Sequence, residues 1–302
     1  MLRTLTHLPK TLALFTAAAA LFAGQARAQA TDLTWPGGGF ATLQAAINGA
    51  TDVTGDGLVV VQVATGTRST RVNITRSNFV LRGSGARGTT IQWLTSGTTP
   101  VIRVTNATNV KIENLVVRSN NSVNGANGIA ITGGAGAIVR DVEVRNATFG
   151  IGAMSTTGLV LEDLRVHDCR LDGINLLTCT AAVVRNLRVD HNRENGVLVE
   201  GSSDTLVQNV LADVNTTAGI RTVSTTNTTI TGNTMTLNLG EGLRLRSDIG
   251  AVVNANTITN NAGFGIRLRT TTPDFDGGQV GTQALPGNNT VTGNTAGVVR
   301  ID

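Results

Sequence analysis

The chain has 302 residues, with 36 Gly, two Trp, two Cys, no Tyr and a formal net charge of +4. Arg3, Lys10 and Arg27 lie in the first thirty residues, so 24 bases less these three leave 21 against 20 acids. A net of +1 excludes a general nucleic-acid or membrane-surface role, and the shortage of large residues favours many small, similar layers over one globular core.

At the N-terminus, Arg3 and Lys10 precede the apolar run 11–23, and "ARAQA" (26–30) offers A-x-A cleavage sites. Residues 1–30 read as a secretory signal peptide, too short to span a bilayer, which predicts a secreted or periplasmic protein. Residues 31–57 read as an N-terminal cap: Phe40, Leu43 and Ile47 have helical spacing, and a β-stack needs its apolar end covered. Within this segment "DVTGDG" (52–57) places oxygen ligands at alternate positions, like the start of a calcium loop. The twelfth position is Val63, without a carboxylate, which favours a plain turn. The sequence therefore requires no metal or cofactor.

Residues 58–302 are repetitive. Gly followed by a branched apolar residue recurs at Gly128, Gly150, Gly173, Gly196, Gly219, Gly242 and Gly265, first after 22 and then after 23 residues each time. Four residues before each stands Asn124, Asn146, Cys169, Asn192, Asn215, Asn238 or Asn261. Short alternating segments such as "LEDLRVHD" lie between Asn/Gly turns and carry no helical spacing. Each repeat thus predicts one coil of an all-β parallel β-helix, with coils ~4.8 Å apart. The Asn column predicts an internal ladder of stacked amides, interrupted by Cys169. A disulfide between Cys169 and Cys179 hinges on their Cα separation.

With "FATLQAAINGA", "LVVVQVATGT", "VNITRSNFVLRGSG" and these repeats, residues 38–302 resemble the pectin lyase-like superfamily of right-handed parallel β-helices. The resemblance implies a right-handed solenoid with a helical cap. It transfers no activity, because the superfamily hosts lyases, hydrolases, epimerases and adhesins. The catalytic segments of polygalacturonase-like, uronan epimerase-like and pectate lyase-like enzymes are all missing.

The period turns sequence columns into spatial neighbours. One outward column reads Glu143, Arg165, Arg188, Leu211, and the next Arg145, His167, Asp190, Asp213. If the protein is an enzyme, His167, Asp190 and Asp213 are the acid–base candidates, one aspartate raised in pKa by the other, with Arg165 and Arg188 holding a substrate carboxylate. The competing reading is a row of solvated surface ion pairs.

On the second face, two residues beyond each Gly, stand Arg221, Arg244 and Arg267, with Arg246 and Arg269 four beyond. Cations at coil spacing repel by roughly 3 kcal/mol at an effective dielectric of 20. Glu241, Asp248 or a bound anion are the expected compensation. Between Gly265 and Gly297 the Gly spacing grows to 32, and this insertion is expected to bring Asp274 and Asp276 near Arg267. An ice-binding Thr array is not expected, because Thr229/Thr231 face Val252/Asn254 one coil later. The resulting expectation is an exported protein that binds, and as an enzyme would cleave or epimerise, an acidic polysaccharide. The alternative is a non-catalytic surface or matrix protein.

Overall fold

The computed structural model describes residues 30–85, 87–120, 126–269 and 288–302. The signal-peptide assignment, Asn124 and the Asp274/Asp276 insertion lie outside the described residues. The rest is a parallel β-solenoid of about nine coils. A 16-strand sheet and a ten-strand sheet run the length of the solenoid, every pairing parallel.

The coil 183–205 shows the plan. Strand Val183–Asp190 lies in the larger sheet and bends at Asn186, whose φ is 57°. His191 (φ 57°) turns the chain toward strand Val197–Glu200 of the smaller sheet, and Gly201 and Asp204 (φ 55° and 52°) turn it back. These left-handed corners stack from coil to coil, as in Asp141, Asp163, Asn186, Asn209 and Gly232. Asn, Asp and Gly tolerate that conformation best, which is why the turns read as Asn/Gly-rich. Inward residues such as Val144, Val166, Val189 and Ala212 are fully buried and form a single core.

The repeating Gly has a steric cause. A Cβ on Gly173 would lie 2.8 Å from Asn192 Nδ2 and 2.9 Å from the Gly196 carbonyl oxygen. Only glycine lets successive coils close on the ladder. In that ladder the Oδ1 of Asn215, Asn238, Asn261 and Asn294 each accepts from the preceding Asn's Nδ2 at 2.8–3.1 Å. Cys169 heads it, donating its backbone N–H to Asn192 Oδ1. The expected membership of Asn146 is corrected. The strand before it pairs with the next coil at an offset of 22 (Arg145↔His167), so Asn146 falls in the left-handed corner column with Asp168 and buried Ala147 takes the internal position.

Two polar columns escaped the sequence reading. Asn233, Asn256 and Asn289 form a second ladder through Nδ2–Oδ1 bonds of 2.9 Å. Elsewhere Asp172, fully buried, accepts at Oδ1 from the N–H and Nδ2 of Asn195.

At the N-terminal end, Thr42 caps helix Leu43–Gly49 by accepting from Ala45 N–H. The helix buries Leu43, Ala46 and Ile47 against the core, and Arg76 donates to the carbonyls of Ile47 and Ala50, satisfying its last turn. Phe40 lies before the helix rather than in it. Strand Leu33–Trp35 already pairs with Val59–Val63, so the sheet begins inside the segment read as cap. Asp52 accepts from the N–H groups of Gly55 and Gly57 and from the Thr54 hydroxyl. "DVTGDG" is a turn closed by its own first carboxylate.

Candidate functional site

The larger sheet brings the first constellation together in the expected register: Glu143↔Arg165↔Arg188 and Arg145↔His167↔Asp190↔Asp213. Its chemistry differs from expectation. Asp190 is wholly buried, and His167 and Asp213 are each 8% exposed. The long arginine side chains fold over the carboxylates instead of extending into solvent. Arg165 grips Asp190 with two bonds, Nε–Oδ1 3.3 Å and Nη2–Oδ2 3.2 Å. Arg188 bridges onward, 3.2 Å from Asp190 Oδ1 and 3.0 Å from Asp213 Oδ2.

Burial works against the charge on Asp190. Hydrogen bonds from Arg165 and His191, and the charges of Arg165 and Arg188, outweigh it and hold the carboxyl below its ordinary range. The expected raised aspartate pKa is therefore corrected for Asp190: guanidinium groups, not a second carboxylate, dominate its surroundings. His167 also serves other partners, with Nδ1 2.6 Å from Asp168 and Nε2 3.4 Å from Glu143. The imidazole on Asp190 is His191, at 2.8 Å, which the sequence reading passed over because it follows the strand at a corner. Asp213 Oδ1 is buried without a hydrogen-bond partner.

The smaller sheet aligns the arginines. Leu198↔Arg221↔Arg244↔Arg267 is one column and Val223↔Arg246↔Arg269 the next. Arg300 continues the first, in register with Arg267. It was missed because the coil after the insertion is 33 residues long, not the 32 of the Gly spacing. Compensation is concentrated at the C-terminal end. Arg267 Nη1 donates to Glu241 at 2.8 Å and its Nε to Asp302 at 2.7 Å, and Asp302 also meets Arg269 and Arg300.

Among the described residues no carboxylate forms an ion pair with Arg221, Arg244 or Arg246. The Nε atoms of Arg221 and Arg244 are buried without partners. Burial, then the charge of Arg221, pushes the Arg244 pKa down against the pull of Glu241. Asp248, expected to neutralise the row, does not. It is buried and accepts from the hydroxyls of Thr222 and Thr225 and the N–H groups of Thr225 and Arg246. Burial pushes its pKa up despite those bonds.

At the head of the row, burial and then the charge of Asp172 push the Glu194 pKa up, while Arg221 and Arg170 oppose the shift. Cationic coils thus follow an acidic edge. Both cysteines are free and buried. Among the described residues, no group of three or more His, Cys, Asp and Glu is placed to hold a metal, and no helix is long and apolar enough to cross a membrane.

A parallel solenoid with charged outward columns on two faces defines a class of β-helix proteins. The right-handed β-helix region matches residues 77–226 and 172–299, and the chain belongs to that family. Among solved structures it is similar to tailspike protein 2 of bacteriophage CBA120 (TM-score 0.65, 15% identity, 80% of this chain and 42% of that one). It thus spans under half of that protein. It is also similar to a point mutant of the periplasmic alginate epimerase AlgG (TM-score 0.55, 12% identity, 81% and 74%). The alginate lyase of Paenibacillus sp. str. FPU-7 is a third (TM-score 0.52, 12% identity, 86% and 95%). These likenesses are of fold. No curated protein matches the chain.

Proposed function

We propose that this is an exported protein whose arginine row binds an acidic polysaccharide lying along the solenoid axis, one acidic sugar to a coil. The carrying observation is Arg221–Arg244–Arg267–Arg300 at successive coils, with the Arg244 pKa pushed down by burial and then by the charge of Arg221, and its Nε unpartnered. Like charges at ~5 Å persist where an anion offsets them, and guanidinium forks match carboxylates or sulfates. Fold neighbours that act on alginate support a polysaccharide ligand, and the predicted signal peptide supports export.

The second face gives less support to chemistry. Asp190, charged, buried and clamped by two arginines, is poorly suited to exchange protons, and only Asp213 keeps a free acceptor atom. Binding is therefore the function proposed, with Arg165 and Arg188 reading as partners of these aspartates.

Titration calorimetry with a polyuronate and a neutral glucan tests the reading. Wild type is expected to bind only the polyuronate, more weakly as ionic strength rises toward ~0.15 M, where screening confines charge contacts to about 8 Å. Arg244→Gln with Arg267→Gln should remove most of the affinity. Binding that ignores both salt and the double substitution refutes a charge-based site.

A further inference from the structure

The coils that carry Arg244, Arg267 and Arg300 on the smaller sheet carry no charge on the larger. Segments 229–238, 252–261 and 288–294 contain no acidic, basic or histidine residue. They contain instead a threonine array in the strand next to the one considered from sequence. Thr229/Thr231 do face Val252/Asn254, as read. Beyond the bend, however, Thr234↔Thr257↔Thr290 and Thr236↔Thr259↔Thr292 align over three successive coils. Met235, Ile258 and Val291 between them point inward and are buried, so the six threonines share the outer surface.

The array is unusually well fixed. Its strands start at the second ladder (Asn233, Asn256, Asn289) and end at the first (Asn238, Asn261, Asn294), so internal amide bonds lock coil to coil on both flanks. Thr side chains are stiff at χ1, and Thr259 donates to Thr236 Oγ1 at 3.3 Å, holding hydroxyls in file. The result is a net of hydroxyl and methyl groups, repeating at ~4.8 Å along the axis and about 7 Å across each strand.

We propose that this face binds ice. An uncharged net without aromatic rings offers a sugar chain little to grip. It does match a surface whose own oxygen atoms repeat in two dimensions at similar spacings, as those of an ice crystal face do. The hydroxyls would hold lattice waters while the methyl groups lie between them. The proposal is independent of the arginine face.

The test is ice itself. Purified protein is frozen slowly with a co-dissolved protein that does not bind ice, and its partition into the ice, thermal hysteresis and inhibition of recrystallisation are measured. Wild type is expected to enrich in the ice and to suppress recrystallisation. Thr257→Lys, at an exposed position in the middle of the array, should reduce both to the control level with the melting midpoint and polyuronate binding unchanged. Thr290→Lys, in the last coil, provides a second variant should the first fold poorly. Arg244→Gln should partition into ice and inhibit recrystallisation as wild type does. Wild type excluded from ice like the control, or lysine variants that partition as wild type does, would overturn the proposal.

Discussion

Asn192 donates twice to a single atom of Asn215: its backbone N–H and its Nδ2 both reach Oδ1, at 3.1 and 2.9 Å. Asn215 in turn donates to the Val189 carbonyl and to Asn238 Oδ1. No water-exposed substitute exists for these partners, because both asparagines are buried.

Asn215→Ala therefore strands two donors of Asn192 and one carbonyl. A loss of about 2–3 kcal/mol is expected, the upper part of the range for buried groups left unsatisfied. Arg246→Gln, on the exposed face, should stay within about 0.5 kcal/mol. Denaturant midpoints of the two variants check the contrast, and equal midpoints would remove the ladder from the account of stability.

Asp190 links stability to acid. Its folded pKa lies below the ordinary 3.8, so its contribution is complete above that value and is lost as pH falls through the folded pKa. Wild type should lose stability steeply below about pH 4. Asp190→Asn should be less stable at neutral pH and flatter across the acid range. Urea midpoints between pH 7 and pH 2 measure this, and parallel profiles would show that Asp190 contributes nothing to the slope.

Arg244 is a cost to the folded state in the absence of ligand. Arg244→Gln is expected to raise the melting midpoint at low ionic strength by up to about 1 kcal/mol of stability, and the gain should shrink as salt screens the row. Adding polyuronate should reverse the order, stabilising wild type more than the variant. A variant that is less stable at every salt concentration would show that the row is held by packing alone.

Burial pushes the Cys169 thiol up to about 12, and burial likewise raises that of Cys179. Neither is expected to react with a thiol reagent in the native protein at neutral pH, and both should react once it is unfolded. Two thiols titrated before unfolding would place them at the surface, and none afterwards would reveal a disulfide.

The coil period, the Gly column and both arginine columns were legible because each repeats in one dimension, and a solenoid maps that dimension directly onto neighbouring coils. Asn146 and Arg300 were misread or missed where the period slips by one residue, since a slip leaves local composition unchanged and moves every later side chain. Asp190 and Asp248 were read as exposed because alternation reports which face a residue occupies. It does not report whether a neighbouring arginine folds over that residue or a threonine hydroxyl draws it inward. The second ladder and the threonine net were visible as Asn-Thr-apolar-Thr at 233, 256 and 289. They were masked by the threonines one strand earlier, Thr229 and Thr231, which face Val252 and Asn254 and so break the column.

The coil from Asn256 to Asn289 is ten residues longer than its predecessors, yet the amide bond between them keeps its 2.9 Å length, and Asn261–Asn294 holds at 2.8 Å. The extra length lies in sequence between Arg269 of the smaller sheet and Thr290 of the larger, and the ladders keep the register on its far side. The molecule thus behaves as a chassis with a splice point. Foreign sequence grafted into 270–287 should leave the alignment of both faces intact, so either face could be revised, by selection or by an engineer, without renegotiating the other.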